Sequence, residues 1–310
     1  MKLQILTLTV MSLVVFMLYC HDYFGLAFSV SLPVIATSKY YGVGPEQRLI
    51  FVGDVHGMYD KFMLLLKQVK PDDRTTVVLL GDFLSKGPDS AKIARYLLRN
   101  KDRIQCVLGN HELAILFALL NPKKARKFKP KRKMDPGDFS KWKRISFVTE
   151  DYIPQETKIK KMHMRLARQL GPDVLDRIAD HCSAAAYFNL TATNETLIGV
   201  HAGILPNGFE HFKIADLTMM KFVDADNWNH TSKNRFDNAI WWHDLWNSVH
   251  DYEDTTVLYG HASSAGLTLR RRTKGLDVGC VNGGSLAALE YTFDDTKKIY
   301  NTNLYQVPCK

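Results

Sequence analysis

Five apolar segments that each lead into a metal-ligand type of side chain constrain this sequence more than any other feature. Three of them break at a glycine before an acid or an amide, and two lead into a histidine. The polar residues at these ends are Asp54, His56, Asp82, Asn110, His201 and His261. Carboxylate and carboxamide oxygens and imidazole nitrogens suit divalent ions such as Zn²⁺ and Mn²⁺. The pattern therefore predicts that several strand ends meet at a site for two ions.

Segments with helical spacing separate the first three of these strands. A strand is predicted at 48–52, helices at 60–69 and 89–100, and a further helix at 111–120 that begins at the site. Two more helices, divided at Gly171, are predicted at 157–182, and β-rich segments follow at 255–260, 285–293 and 298–305. We read these last segments as a second sheet packed on the first. The predicted fold class is α/β, an α+β sandwich of two mixed β-sheets flanked by helices.

The chemistry of phosphoryl transfer explains why such a set of ligands would be gathered. A phosphate ester or anhydride repels nucleophiles, so its hydrolysis needs concentrated positive charge and an ionised water. Two ions bridged by one carboxylate, assigned to Asp82, supply both. The other ligands divide between a first ion (Asp54 and His56) and a second ion (Asn110, His201 and His261). His111 remains free as a general acid toward the departing oxygen.

These motifs resemble a known family. Residues 53–57 (GDVHG), Gly81-Asp82, 109–112 (GNHE) and the two later histidines are similar to the calcineurin-like metallophosphatase (PPP) superfamily over about 49–289. The segments 86–90, 259–261 and 274–284 resemble its ApaH-like branch. The resemblance implies a β-sandwich flanked by helices, a pair of divalent ions (Zn, Co, Mn or Fe) and hydrolysis of phosphate esters or anhydrides without a covalent intermediate.

Two departures from the family pattern bear on the substrate. Ser85 stands where protein phosphatases have the aspartate that orients the catalytic histidine, and Lys86 replaces their arginine. These changes matter least when the leaving group is already a stable anion, which favours phosphoanhydrides over phosphoserine. Residues 262–265 (ASSA) lack the charged residues expected in the ApaH-like branch, which puts dinucleoside polyphosphates in question. The whole arrangement is similar to the vacuolar endopolyphosphatase type.

The charge of the chain predicts a polyanionic partner. Its net charge is +9, and residues 121–147 form a basic insertion with eleven Lys or Arg against two Asp. Lys86, Arg270, Arg271 and Lys274 are the predicted substrate-binding residues. A long phosphate chain rewards many weak cationic contacts. Few aromatic residues accompany the insertion, so we rank inorganic polyphosphate above nucleic acid and expect no specific nucleic-acid partner.

Three other functions remain open at this stage. The chain could be a serine/threonine protein phosphatase, or a bis(5'-nucleosyl)-tetraphosphatase. In a different class, it could be an inactive, membrane-anchored protein that binds anions, as the loss of the carboxylate at Ser85 suggests. The presence of all the predicted ligands argues against the inactive protein.

The amino terminus predicts entry into the secretory pathway. Residues 3–19 form an uncharged apolar run, so 1–38 is interpreted as a signal anchor with its adjoining apolar segment, the alternative being a signal peptide. Residues 39–47 are the predicted linker, and 48–310 the catalytic domain. Three glycosylation sequons, at Asn189, Asn194 and Asn229, suit a lumenal domain, and the predicted location is the vacuole membrane.

The five cysteines are widely spaced and show no C-x-x-C pair. Their spacing predicts neither a structural zinc site nor a disulfide scaffold, and we expect most of them to be packing residues.

Overall fold

The computed structural model describes residues 35–118, 158–206 and 213–310. The predicted signal anchor, up to residue 34, and the whole basic insertion at 121–147 lie outside these ranges. Within the ranges, no helix combines the length and the apolar character that a membrane span requires.

The elements of the first range alternate between strands and helices. In chain order they are β1 (Ala36–Val43), β2 (Arg48–Val52), α1 (Tyr59–Val69), β3 (Thr75–Leu79), α2 (Ser90–Arg99), β4 (Ile104–Cys106) and α3 (Asn110–Ala118). The predicted strand at 48–52 and the helices that follow the first two strands of the site are confirmed.

The second and third ranges contain most of the strands. The helices are α4 (Lys161–Leu170), α5 (Pro172–His181), α6 (Ile214–Met219) and α7 (Trp242–Ser248). The first strands are β5 (Ser183–Leu190), β6 (Glu195–Val200), β7 (Phe222–Asp224), β8 (Thr231–Ser232), β9 (Ala239–Trp241) and β10 (Thr255–Tyr259). The last strands are β11 (Thr268–Leu269), β12 (Thr273–Gly275), β13 (Asp277–Val278), β14 (Ser285–Asp294) and β15 (Ile299–Pro308). A short 3₁₀ turn occupies Cys280–Asn282.

Two mixed sheets form the centre of the fold, as predicted. One has the strand order β13-β14-β2-β3-β4, with β15 paired to β14, and the other has the order β1-β5-β6-β10-β12-β11. Strands β2, β3 and β4 are parallel, as are β6 and β10. Parallel neighbours end at the same edge of a sheet, so the residues that follow β2, β3 and β4 share one edge of the first sheet, and those that follow β6 and β10 share one edge of the second.

Alternation of apolar side chains along β2 and β3 explains the layers. Leu49, Phe51 and Val78 belong to a buried cluster that also contains Phe188 and Leu258 of the other sheet. Their neighbours on the same strands, Ile50, Val52, Val77 and Leu79, pack instead with the helices on the outer face. Because successive strand residues point to opposite faces, both faces of this sheet are buried. The fold is therefore a helix-covered sandwich with its apolar core between the sheets.

Two predicted boundaries were wrong. The proposed linker at 39–47 is largely strand β1, which pairs in parallel with β5 from Ala36 opposite Ser183 to Val43 opposite Leu190. The polar composition of this segment reflects an edge strand with half-exposed side chains. The strands of the last third do not form one separate sheet either, because β10 joins β6 whereas β14 pairs with β2 of the first sheet.

The prediction about the cysteines was also wrong. Cys106 is bonded to Cys182, and Cys280 is bonded to Cys309, across sequence separations of 76 and 29 residues. The first bond joins the end of β4 in one sheet to the start of β5 in the other. Sequence spacing could not show these pairs, because residues distant in the chain become neighbours only when the sheets pack.

Replacing both cysteines of a pair by alanine should destabilise the protein, and more so for the pair that closes the longer loop. We expect losses of roughly 4–5 kcal/mol in the free energy of unfolding for Cys106 and Cys182, and roughly 3–4 kcal/mol for Cys280 and Cys309. Guanidinium unfolding of the oxidised proteins measures both losses. Unfolding midpoints equal to that of the wild type would show that the bonds are not formed.

Candidate metal centre

The carboxyl ends of the parallel strands bring all six predicted ligands into one cleft. Asp54, His56, Asp82, Asn110 and His261 line it, and His201 lies fully buried beneath it. Asp54, His56 and Asp82 each offer one ligand atom, and the three atoms lie within 4.8 Å of one another. Nε2 of His56 is 3.6 Å from Oδ2 of Asp54 and 3.7 Å from Oδ2 of Asp82. These three residues form one ligand group.

A second ligand group shares the Asp82 carboxylate. Nε2 of His201 lies 3.5 Å from Oδ2 of Asp82, 3.2 Å from Oδ1 of Asn110 and 3.2 Å from Nδ1 of His261. Metal–ligand bonds of about 2.0–2.2 Å put neighbouring tetrahedral ligands roughly 3.4 Å apart. The separations in both groups therefore suit divalent ions, and the residues present fit them.

Backbone carbonyls select the ring nitrogen that each histidine turns toward the cleft. Nδ1 of His56 faces a carbonyl at 3.3 Å, Nδ1 of His201 faces one at 2.8 Å, and Nε2 of His261 faces one at 3.1 Å. The acceptors are the carbonyl oxygens of Leu84, Leu80 and Met219, respectively. A ring N–H that donates to a carbonyl leaves a lone pair on the other nitrogen for a metal. Each ring thus directs one nitrogen at a carbonyl and turns the other toward the ligand groups.

Backbone amides orient the two aspartates. The amide of His111 donates to Oδ1 of Asp82 at 2.9 Å, and the amide of His261 donates to Oδ1 of Asp54 at 3.0 Å. The close approach to Asp54 requires glycine, because a Cβ at Gly260 would lie 2.1 Å from Oδ1 of Asp54. The other oxygen of each carboxylate is left for the ligand groups.

Glu112 connects the loops that follow β3 and β4. This buried carboxylate accepts hydrogen bonds from the amides of Asp82 at 2.7 Å, Leu84 at 2.9 Å and Gly109 at 3.0 Å. Burial and the charge of Asp82 raise the pKa of Glu112 to about 8, although its amide partners oppose the rise. The sequence placed Glu112 in a motif without giving it a function, and the structure identifies it as an organiser of both loops.

Backbone strain is concentrated at the cleft. Ten non-glycine residues in the described ranges have positive φ, and five of them, His56, Asp82, Ser85, Lys86 and His261, belong to this site. Positive φ is costly for residues with a side chain and persists where surrounding contacts impose it. The fold therefore holds these residues in place against their own backbone preference.

The charges of the ligands are interdependent. Burial raises the pKa of Asp82, but the charge of His201 and its hydrogen bond outweigh it and hold the pKa well below its ordinary value. Burial lowers the pKa of His201, but Asp82 outweighs it and raises the pKa to about 10. Burial lowers the pKa of His56 to about 4, so that this ring is neutral at pH 7.

The predicted acid, His111, stands at the start of α3 with Nε2 4.0 Å from Oδ2 of Asp82. Its Nδ1 contacts Oγ of Ser85 at 3.1 Å and Nε2 of His163 at 2.9 Å. His163, on α4, belongs to none of the motifs in the sequence, so no signal drew attention to it.

The predicted substrate-binding residues are divided by the structure. Lys86 lines the cleft, and its Nζ lies 2.7 Å from Nε2 of His56. Arg270, Arg271 and Lys274 do not line it. Arg270 pairs with an acid on α7, Arg271 pairs at 3.6 Å with Glu253, and Lys274 donates to the carbonyl of Arg270. The structure instead adds Lys221, Ser263 and Asp277 to the cleft. No motif contains Lys221, whereas Ser263 and Asp277 lie in segments that the sequence singled out without giving these two residues a function.

Metal binding should release a proton from His201. Because its pKa in the metal-free protein is about 10, this ring is protonated at pH 7.5, whereas a metal needs its lone pair. Affinity for Zn²⁺ should therefore rise with pH until about pH 10. Calorimetric titration in buffers of different ionisation enthalpy should show about one proton more for the wild type than for His201→Gln. His250→Gln, an exposed control, should match the wild type, and equal proton release by all three proteins would contradict the assignment.

Comparison with known proteins agrees with this geometry. Residues 47–283 match the calcineurin-like phosphoesterase family. The chain is 40% identical over 297 residues to a zinc-dependent endopolyphosphatase of Saccharomyces cerevisiae, covering 90% of this chain and 86% of that protein. It is 27% identical to a symmetrical bis(5'-nucleosyl)-tetraphosphatase of Proteus mirabilis, covering 83% and 98%. The crystal structure of a putative diadenosine tetraphosphatase has the same fold, with a TM-score of 0.60 at 20% identity over 87% and 97% of the chains. The chain therefore belongs to the calcineurin-like phosphoesterase family and is a metal-dependent phosphohydrolase.

Proposed function

We propose that this protein is an endopolyphosphatase that cleaves internal phosphoanhydride bonds of inorganic polyphosphate with a pair of zinc ions. The observation that carries the proposal is the composition of the cleft. It places two lysines beside the ligand groups, and among the described residues that line it none is Phe, Tyr or Trp. The 40% identity with a zinc-dependent endopolyphosphatase over most of both chains supports the same substrate.

The lining favours an inorganic chain over a nucleotide. Enzymes that hold a nucleobase commonly stack it on an aromatic ring. The only rings in the described lining are the imidazoles of His56, His111 and His261, which belong to the ligand groups or point toward them. Lys86 and Lys221 offer flexible ammonium groups that bind phosphate oxygens as point charges. A polyphosphate chain presents the same phosphate groups at every position, so any of its internal bonds can bind in such a cleft. Internal cleavage requires this equivalence.

The zinc pair is proposed from the two ligand groups. Asp54, His56 and Asp82 would hold one ion, and Asn110, His201 and His261 would hold the other together with Asp82. The bound ions would supply concentrated positive charge and lower the pKa of water. Cobalt or manganese could fill an oxygen and nitrogen ligand set of this kind, and the metal dependence of activity distinguishes them.

The chain's own residues bind and orient the substrate around these groups. Lys86 and Lys221 would bind phosphate oxygens beside the bond to be cut. His111 turns Nε2 toward Asp82, where it would assist the departing oxygen. Glu112 holds the loops that carry Asp82 and Asn110 at a constant separation.

Replacing the shared ligand should abolish hydrolysis. With long-chain polyphosphate and Zn²⁺, we expect the wild type to shorten the chains on a gel before free phosphate appears. Asp82→Asn should lower turnover more than about 100-fold, because a carboxamide cannot hold the charge balance of two ions. Asp73→Asn, the same change at an exposed position, is the matched control and should keep full activity.

The same assay tests the other functions. Faster turnover of phosphopeptides would favour a protein phosphatase, and faster turnover of diadenosine tetraphosphate would favour the activity named for the Proteus relative. Polyphosphate binding without hydrolysis, under every metal tried, would identify an inactive anion-binding protein. Early release of single phosphates would show cleavage from the chain ends.

We also propose that the catalytic domain lies in the lumen of the secretory pathway, anchored through the apolar segment that precedes β1, with the vacuole membrane as its destination. Two disulfides support an oxidising compartment. The three sequon asparagines, Asn189, Asn194 and Asn229, are exposed and so accessible to glycosylation. The basic insertion at 121–147 would help to attract the polyanion.

Glycosidase treatment of the protein from a eukaryotic host tests this location. We expect a loss of mass on a gel after treatment, and no loss in a variant with glutamine at all three sequon asparagines, because only lumenal sequons are glycosylated. Extraction with alkaline carbonate should leave the full chain in the membrane fraction. An unglycosylated protein released by carbonate would contradict both parts of the proposal.

A further inference from the structure

Two buried histidines form a pair, in which His111 lines the cleft and His163 lies behind it. His111 is 7% exposed and His163 is 2% exposed, and the two rings meet edge to face with 2.9 Å between Nδ1 of His111 and Nε2 of His163. His163 contacts none of the predicted metal ligands through a hydrogen bond in the described part of the chain. Its position therefore suggests that it acts on His111.

The hydrogen bonds around His163 determine where its proton lies. The amide of Lys160 donates to Nδ1 of His163 at 3.0 Å, so this nitrogen is an acceptor. Burial and the charge of Lys160 lower the pKa of His163 to about 4, although the carbonyl of Lys158 opposes the shift. A neutral ring with an acceptor at Nδ1 carries its proton on Nε2.

The tautomer of His163 determines the tautomer of His111. Nε2–H of His163 points at Nδ1 of His111, so Nδ1 of His111 is an acceptor in turn. With Nδ1 as the acceptor, the ring proton of His111 lies on Nε2, the atom 4.0 Å from the Asp82 carboxylate in the cleft. Ser85 does not oppose this arrangement, because its hydroxyl can donate as well as accept. A carboxylate at position 85 would instead demand a proton on Nδ1.

We propose that His163 is a positioning residue that fixes the proton of His111 on Nε2, so that His111 presents this N–H as a hydrogen-bond donor to the departing oxygen. This inference rests on the proposed function, since it concerns the leaving group of that reaction. An imidazole N–H aimed at a departing oxygen stabilises the developing negative charge by hydrogen bonding, without giving up its proton. That assistance is sufficient when the leaving group is the phosphate end of an anhydride.

The tautomer is read directly by NMR. In protein labelled with ¹⁵N-histidine and loaded with Zn²⁺, the ring nitrogens of His111, assigned by loss of its signals in His111→Asn, should show a proton on Nε2. His163→Gln keeps an N–H donor near the same place and should keep this tautomer, whereas His163→Phe should lose it. A proton on Nδ1 of His111 in the wild type would overturn the proposal. Because no substrate is present, this result is independent of whether polyphosphate is cleaved.

Kinetics on two aryl phosphates provides a second measurement. p-Nitrophenolate leaves readily without assistance, whereas phenolate is more basic and needs it. His163→Phe should lower kcat for phenyl phosphate by about 10–100-fold and for p-nitrophenyl phosphate by less than about threefold, with KM unchanged. His163→Gln should recover most of the loss, and exposed His250→Gln should behave as the wild type.

A purely structural role for His163 predicts a different outcome. In that case His163→Phe would lower kcat equally for both substrates, and His163→Gln would recover neither. If neither aryl phosphate is turned over by the wild type, the NMR result alone decides the proposal. If the wild type does not cleave polyphosphate but His111 shows the Nε2–H tautomer, the proposed substrate is refuted. The positioning role of His163 is unaffected by that result.

Discussion

The carboxylate of Asp82 is the group on which the geometry of the cleft depends. One oxygen is held by the amide of His111, and the other lies between the ring nitrogens of His56 and His201 at 3.7 and 3.5 Å. A buried carboxylate is unfavourable unless opposite charge and hydrogen bonds compensate it. The chain provides both, and Glu112 extends the arrangement by joining the amides of the loop that carries Asp82 to the loop that follows β4. Neither loop can move without disturbing the other.

Tertiary contacts hold the strained backbone of the cleft in place. His56, Asp82 and His261 all adopt positive φ, which an isolated peptide would avoid. The Cys106–Cys182 bond joins the two sheets four residues before Asn110, and the amide of Leu108 donates to the carbonyl of Ser183 at 2.8 Å beside it. The disulfide and the inter-sheet contact thus stabilise the part of the molecule where ligands from both sheets meet.

The positive charge of the chain is distributed in a way that its total does not reveal. Arg270 and Arg271 pair with acidic residues away from the cleft, whereas Lys86 and Lys221 stand beside the ligand groups. Paired arginines at an exposed surface contribute little attraction to a distant anion, since salt and their partners screen them. Two cations inside a cleft act at short range. The net charge of +9 therefore predicts the kind of partner, and the two lysines of the cleft mark the place where we propose that it binds.

The sequence by itself determined the class of chemistry of this protein. Residues of ligand type after five apolar strands, the alternation of helices with β2, β3 and β4, and the edge at which the site lies were all predictable, because they depend on local spacing. Only the tertiary structure decided that β14 pairs with β2, that four cysteines form two bonds, and that Lys221 and His163 reach the site. Each of these contacts joins residues far apart in the chain, and their distances exist only once two sheets and their helices have packed.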